Sequence, residues 1–162
     1  MLSTPNIRPA VHADAAAIAQ LLDTVDDLHR VALPRIFQKV EDVRSAEYFG
    51  SFLTEPDRSA LVAGDTVPVG VLLMRVRSVT GPPMVRRVLA AEIDALVVDP
   101  LHRRRGIGRA LVEAATTWAR TREAVRIELG VYEFNESARA FWQAVGFDTL
   151  SRRLERRIDV DR

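Results

Sequence analysis

The chain has 162 residues, no cysteine, three histidines and a formal net charge of +1 at pH 7. That length suits one domain, 1–162, with a real core. The missing cysteines exclude disulfides, thiolate nucleophiles and cysteine-based zinc sites. His12, His29 and His102 are too few to suggest a metal centre, and the balanced charge provides no global field toward nucleic acid.

No run of 18 apolar residues occurs, and no charged-then-apolar leader opens the chain, so a soluble cytoplasmic protein without a membrane partner is expected. Lys39 is the only lysine among 23 basic residues. Most of this arginine excess reads as compositional bias. Arginine forks also match phosphate oxygens, and this sharper reading applies to Arg103 to Arg105 and Arg109.

In chain order, Asn6 to Pro9 reads as a short edge strand, and Asp14 as the cap of a first helix from about Ala15 to Thr24. Residues 26–44 carry no clear period. Ser45 to Leu53 reads as a second helix, stopped by Glu55-Pro56-Asp57. Ser59 to Ala63 and Val67 to Val79 form a hairpin around Gly64-Asp65, with Gly70 as a bulge or close approach. Arg86 to Val98 is the next strand. Asp99-Pro100 ends it, because proline has no N–H for a ladder. A helix then starts near Gly106, with Ile107, Leu111, Ala114 and Trp118 on one face. Val125 to Val131 is a strand parallel to its predecessor by right-handed crossover. Asn135 caps a last helix that Gly146 ends, and Phe147 opens a final strand with an exposed tail strand over Arg152 to Arg157. Antiparallel strands followed by strand–helix–strand give an α+β fold with a mixed sheet.

The strand–loop–helix stretch Glu92 to Ala110 carries the chemistry. Three arginines, then Gly106-Ile107-Gly108, stand where a helix normally begins with Ser, Thr, Asp or Asn. A helix N-terminus leaves unsatisfied N–H donors and about half a positive charge, and glycine lets a ligand approach the backbone. This is an anion site suited to phosphate. The nucleotide-binding Gly-x-x-x-x-Gly-Lys-Ser/Thr pattern fails for want of a lysine. The dinucleotide Gly-x-Gly-x-x-Gly pattern fails at Leu111, although Glu128 lies at a fitting distance for a ribose carboxylate, so that reading stays open.

Arg103-x-x-Gly106-x-Gly108 matches the Arg/Gln-x-x-Gly-x-Gly/Ala signature of the GNAT acyl-CoA N-acyltransferases. It follows Ile93-x-x-Leu96-x-Val98-x-Pro100 and precedes Asn135-x-x-Ala138-x-x-Phe141-Trp142-x-x-x-Gly146-Phe147, in family order and spacing. From about Glu92 to Phe147 the chain resembles that family. The likeness is weaker over the N-terminal half.

The resemblance implies a central mixed, mostly antiparallel sheet flanked by about four helices, with splayed central strands holding CoA. It implies acetyl-CoA as co-substrate, no metal, and an amine acceptor, either a small molecule or a protein N-terminus or lysine, attacked directly in a ternary complex. It places the pyrophosphate on Arg103, Arg104, Arg105, Gly106, Ile107, Gly108 and Arg109, and the pantetheine arm along Leu96, Val97 and Val98. Asn135 and Trp142 would also contact the cofactor.

Glu92 matches the family's general-base position, and Asp94, two residues on, shares a face with it in a regular strand, together with Leu96 and Val98. An ion pair of Glu92 to Arg75 or Arg77 is the plain alternative. His29 and Phe37 lie where the family often lines its acceptor pocket, although His29 also reads as a loop or cap residue. Trp142 replaces the usual tyrosine acid. Tyr132 is the nearby substitute or else a rim residue. That replacement also motivates a catalytically weak acyl-CoA-binding module. A nucleic-acid binder is disfavoured, because the arginine clusters lack interleaved aromatics. Edge strands in this family often pair across a dimer, so a homodimer is an expectation.

Overall fold

The structure is a computed structural model that describes residues 6–40 and 46–158. The chain falls into two compact units, Met1–Gly130 and Val131–Arg162.

The first unit holds a five-stranded sheet in the order of the chain: β1 (Ile7–Pro9), β2 (Arg58–Ala63), β3 (Gly70–Val79), β4 (Val88–Val98) and β5 (Arg126–Leu129). The first three pairings are antiparallel, and β4 with β5 is parallel. The fold is mixed α+β with a mostly antiparallel sheet, as the sequence pattern indicates. Helices α1 (Ala15–Ala32) and α2 (Ala46–Thr54) pack one face through Ile18, Leu21, Leu22, Phe49 and Phe52 against Ala60, Val62, Val71, Leu73 and Val97. Helix α3 (Ile107–Thr121) packs the other face. There Gly70 makes the close approach: a Cβ would stand 3.0 Å from Ile107 Cγ2 and 3.3 Å from Leu111 Cδ1.

Several sequence expectations are adjusted. Helix α1 runs on to Ala32, two turns past the predicted Thr24, so His29 is helical. The side chain of Asp14 does not cap α1. It is buried and turned back, accepting from Arg8 Nη1 and Nη2 at 2.7 and 2.9 Å and from the Val11 N–H at 2.8 Å. These bonds hold the Asp14 carboxyl below the usual carboxylate range, the Arg8 hydrogen bond first among them. The buried row of α3 is Ile107, Leu111, Ala115 and Ala119, with Val112 beside it. It is turned by about one residue from the expected stripe, and Trp118 lies at its margin under Arg122.

The second unit holds α4 (Glu136–Ala144). Asn135 caps it by accepting from the Ala138 N–H at 3.1 Å, and Gly146, at φ 94°, follows its end. The expected strands from Phe147 and over Arg152 to Arg157 do not form: residues 147–158 are irregular, and Leu150, Leu154 and Ile158 stay exposed. Leucines spaced four apart among arginines do not supply the alternation that a half-buried strand needs.

Candidate functional site

β4 pairs with β5 only from Ala90 to Ile93. Beyond that point, Ala95 to Val98 pair with β3 on one side and, among the described residues, with no strand on the other. The orientation of the open backbone follows from its hydrogen bonds. Asp99 N–H donates to Val69 O at 2.9 Å, toward β3. Alternation along an antiparallel strand then turns the amides and carbonyls of Val98 and Leu96 to the open side. Arg103 Nε confirms this by reaching Val98 O at 3.1 Å. The open edge is therefore a short, preformed backbone template beside the loop.

The loop that follows carries the groups an anion site needs. After Asp99, whose carboxylate accepts from the Leu101 N–H at 2.7 Å, Pro100–His102 form a 3-10 turn. Arg104 adopts φ 64° and Gly106 φ 80°. A non-glycine residue in the left-handed region is uncommon. Gly106 is the N-cap of α3, and no side chain caps the helix there. The first intrahelical bond is Ala110 N–H to Gly106 O at 3.0 Å, so the amides of Ile107, Gly108 and Arg109 have no helical acceptor. A Cβ at Gly106 would meet nothing within 4 Å, so the approach is open. Arg103, Arg104, Arg105 and Arg109 are all exposed around it. His102 Nδ1 is buried and lies 3.5 Å from Asp99 Oδ1, turned to the loop's own carboxylate. These groups fit a pyrophosphate.

At the other end of the open edge lies a row of charges. The register carries a bulge: Leu73 pairs with Ala95 but Met74 with Ile93, which leaves Asp94 as the extra residue of β4. The bulge shifts the alternation by one. Glu92, opposite Arg75, therefore shares a face with Ala95 and Val97, not with Leu96 and Val98 as a regular strand would have it. Across four strands that face reads Arg58, Arg75, Glu92, Glu128. Arg75 Nη2 lies 3.3 Å from Glu92 Oε2 and 3.3 Å from Asp94 Oδ1. Arg77 reaches Glu92 at 3.0 Å and Glu128 at 2.7 Å, and Arg126 also holds Glu128.

The two carboxylates thus differ. Glu92 is ion-paired on two sides. Asp94 has one long contact, and its pKa is raised, first by burial; Glu92 raises it further, while Arg75 and Arg58 oppose.

His29 and Phe37 lie together: their rings stack with centroids 5.1 Å apart. Tyr132, Asn135 and Trp142 belong to the second unit. Tyr132 stacks on Phe134 at 6.1 Å, Asn135 caps α4, and Trp142 stands edge-on between Phe141 and Phe147 at 5.0 and 5.1 Å. The sequence reading treated Arg75 and Arg77 only as ion-pair partners. Their signal was charge at period two on an otherwise apolar strand.

The sequence profile described as the acetyltransferase (GNAT) family matches residues 22–147. No curated relative matches. Among solved structures, a mutant of the BH1408 protein from Bacillus halodurans is similar at 25% identity, with a TM-score of 0.89, covering 94% of this chain and 99% of that one. The aminoglycoside N-acetyltransferase AAC(6')-Iy in complex with CoA is similar at 17% identity, TM-score 0.70, covering 96% and 100%. The apo aminoglycoside 6'-N-acetyltransferase AAC(6')-IG from Acinetobacter haemolyticus is similar at 18% identity, TM-score 0.73, covering 96% and 99%. No helix among the described residues is long and apolar enough to cross a membrane, and no cluster of metal-binding side chains occurs among them.

Proposed function

We propose that this chain, which belongs to the acetyltransferase (GNAT) family, transfers an acetyl group from acetyl-CoA to the primary amine of a small molecule by direct attack. The observation that carries the reading is one continuous stretch in which an open β4 edge leads into an uncapped, glycine-opened α3. Acetyl-CoA supplies the thioester, with a pyrophosphate and an amide-bearing arm as handles. The amides in the first turn of α3, with Arg103 to Arg105 and Arg109, bind the pyrophosphate. The backbone of Leu96 and Val98, with Val97 between them, pairs with the arm, and the Leu96 N–H is the donor suited to the thioester oxygen. Asn135 and Trp142 are assigned to cofactor contact by family resemblance alone, and His29 with Phe37 to the acceptor side.

The acceptor must lose a proton. A lysine-like amine has a pKa of ~10.4, so roughly one molecule in a thousand is neutral at pH 7. Asp94 suits the base: its pKa is raised toward the working range and it is lightly held. Glu92, fixed by Arg75 and Arg77, holds the negative field beside it. Asp94 takes one proton from the ammonium. The freed nitrogen lone pair attacks the thioester carbon, and the C–S bond breaks. The nitrogen's remaining excess proton passes to the departing sulfur. A thiol has a pKa of ~8.5, so it leaves without a dedicated acid. Tyr132, the candidate for that role, is therefore not essential to the scheme, and Trp142 has no usable acid proton.

A second reading, an acyl-CoA-binding protein with slow turnover, rests on Trp142 in the place of the usual tyrosine.

Thermal unfolding with and without acetyl-CoA, with NAD as comparison, tests the reading. Ligand at about 100 times its dissociation constant adds ~2.7 kcal/mol, a shift of several degrees at roughly 2–4 °C per kcal/mol. A shift with acetyl-CoA and none with NAD supports the assignment, and thiol release with amines then separates enzyme from binding module. No shift with acetyl-CoA overturns it.

A further inference from the structure

The charged row beside Asp94 restricts the acceptor. Arg58 and Arg75 lie directly opposite each other on β2 and β3, like charges on one face. Arg58 is satisfied elsewhere: it reaches Glu55 at 2.8 Å and Ser51 Oγ at 3.1 Å, and its guanidinium lies over the Phe52 ring. Arg77 spends two nitrogens on Glu92 and Glu128. Arg75 differs from both. It meets Glu92 and Asp94 through the same nitrogen, Nη2, at 3.3 Å each. Charge-assisted contacts of this type are normally about 2.7–2.9 Å. Its Nε and Nη1 have no partner among the described residues, and its side chain is 42% exposed. A guanidinium carries five donors in a planar fork that matches a carboxylate. Arg75 therefore presents most of that fork, unspent, beside the bulge carboxylate.

The opposite count holds for the acids. Glu55, Glu92 and Glu128 each already lie within 3.0 Å of an arginine, and Asp94, held by one long contact, serves the reacting amine. A polycationic acceptor would find no spare carboxylate among these four for its additional ammonium groups.

We propose that Arg75 docks an anionic group of the acceptor, so that the acceptor is an amine carrying a carboxylate, of the amino-acid class, and not a polyamine or aminosugar. The amine end faces Asp94 and the carboxylate end faces the open Nε and Nη1 of Arg75, a few ångströms apart. This inference rests on the acetyl-transfer reading above.

The test measures thiol release from acetyl-CoA with matched pairs, each common amino acid against its own carboxamide, with spermidine and neamine as polycations. The wild-type protein is expected to prefer at least one amino acid over its amide by roughly 10- to 100-fold in kcat/KM, the range for a charge-assisted hydrogen bond. Arg75→Gln is expected to reduce that preference to near unity, mainly through the KM of the acid, and Arg75→Lys to restore part of it. A residue that only braced Glu92 and Asp94 would change turnover of acid and amide alike and leave their ratio unmoved. Amides equal to or better than acids, polycations as the best acceptors, no amino acid used, or a ratio unchanged in Arg75→Gln would each overturn the proposal. If Arg75→Gln fails to fold, Arg75→Lys reads the same ratio, and its value equal to wild type would overturn the proposal. Failure of acetyl-CoA to shift the melting temperature would instead overturn the acetyl-transfer reading itself.

Discussion

Glu92 and Glu128 lie directly opposite each other across the parallel β4–β5 pair, and the guanidinium of Arg77 bridges them at 3.0 and 2.7 Å. One further residue pair, Ile93 with Leu129, closes the ladder before the strands part. Like charges at facing positions would push the strands apart. Arg77 is thus the clasp at the base of the open edge. Arg77→Gln should lower stability by about 1 kcal/mol or less, because these side chains are partly exposed and solvent screens them. A double-mutant cycle with Glu128→Gln checks this. A coupling energy of zero would show that the bridge holds nothing.

The pair of partly buried Arg8 and buried Asp14 should govern acid stability. The Asp14 pKa is depressed, so its contribution is fully present above the unfolded carboxylate value and is lost as pH falls through the lower folded value. Asp14→Ala should cost about 3 kcal/mol near pH 7, where it strands a partly buried arginine. Urea denaturation between pH 7 and pH 2 should show the gap between wild type and variant narrowing at the acid end. A constant gap would place the loss in packing alone.

Glu123 terminates α3 in the left-handed region, at φ 58°. Its N–H donates to Arg120 O at 3.0 Å and that of Ala124 to Ala119 O at 3.1 Å, the paired bonds of a helix end that favours glycine. Its negative charge also faces the negative end of the helix dipole. Glu123→Gly should therefore stabilise the protein by about 1 kcal/mol. The melting temperature reads the result, and a fall would contradict this account.

Gly108 lies in the first turn of α3, where glutamate is a better helix former than glycine. Gly108→Glu should therefore leave the melting temperature of the free protein unchanged or higher, and abolish the shift with acetyl-CoA by placing a carboxylate against the pyrophosphate. An undiminished shift would remove this loop from the site.

Asp94 as base gives a pH dependence with a definite sign. Only its ionised form accepts a proton, so kcat/KM should fall as pH drops through its raised pKa. Asp94→Asn should lower turnover by ~10²–10⁴-fold, the usual range for a general base, without changing acetyl-CoA affinity. If Glu92→Gln produces this loss and Asp94→Asn does not, the roles are exchanged.

The local pattern alone fixed much of this protein. Proline at position 100, the glycines at 106 and 108 and the apolar spacing of α3 each constrain their own few residues, so strand, loop and helix were legible from Ile93 to Leu111. The cap at Asn135 was legible for the same reason: it is a contact across three residues. The bulge at Asp94 was not, because it exists only as a mismatch between β4 and β3, and it alone decides which face Glu92 takes. Nor could the chain show that Asp14 turns back to Arg8 instead of capping α1. The gathering of Arg75, Arg77, Glu92, Asp94 and Glu128 joins three strands, and its Arg77–Glu128 contact spans 51 positions. The sequence offered the pairing of Glu92 with Arg75 or Arg77 as one of two readings; tertiary structure decided it and added Asp94 and Glu128, since the charge on each residue is written in the sequence but the distance between them is set by strand register.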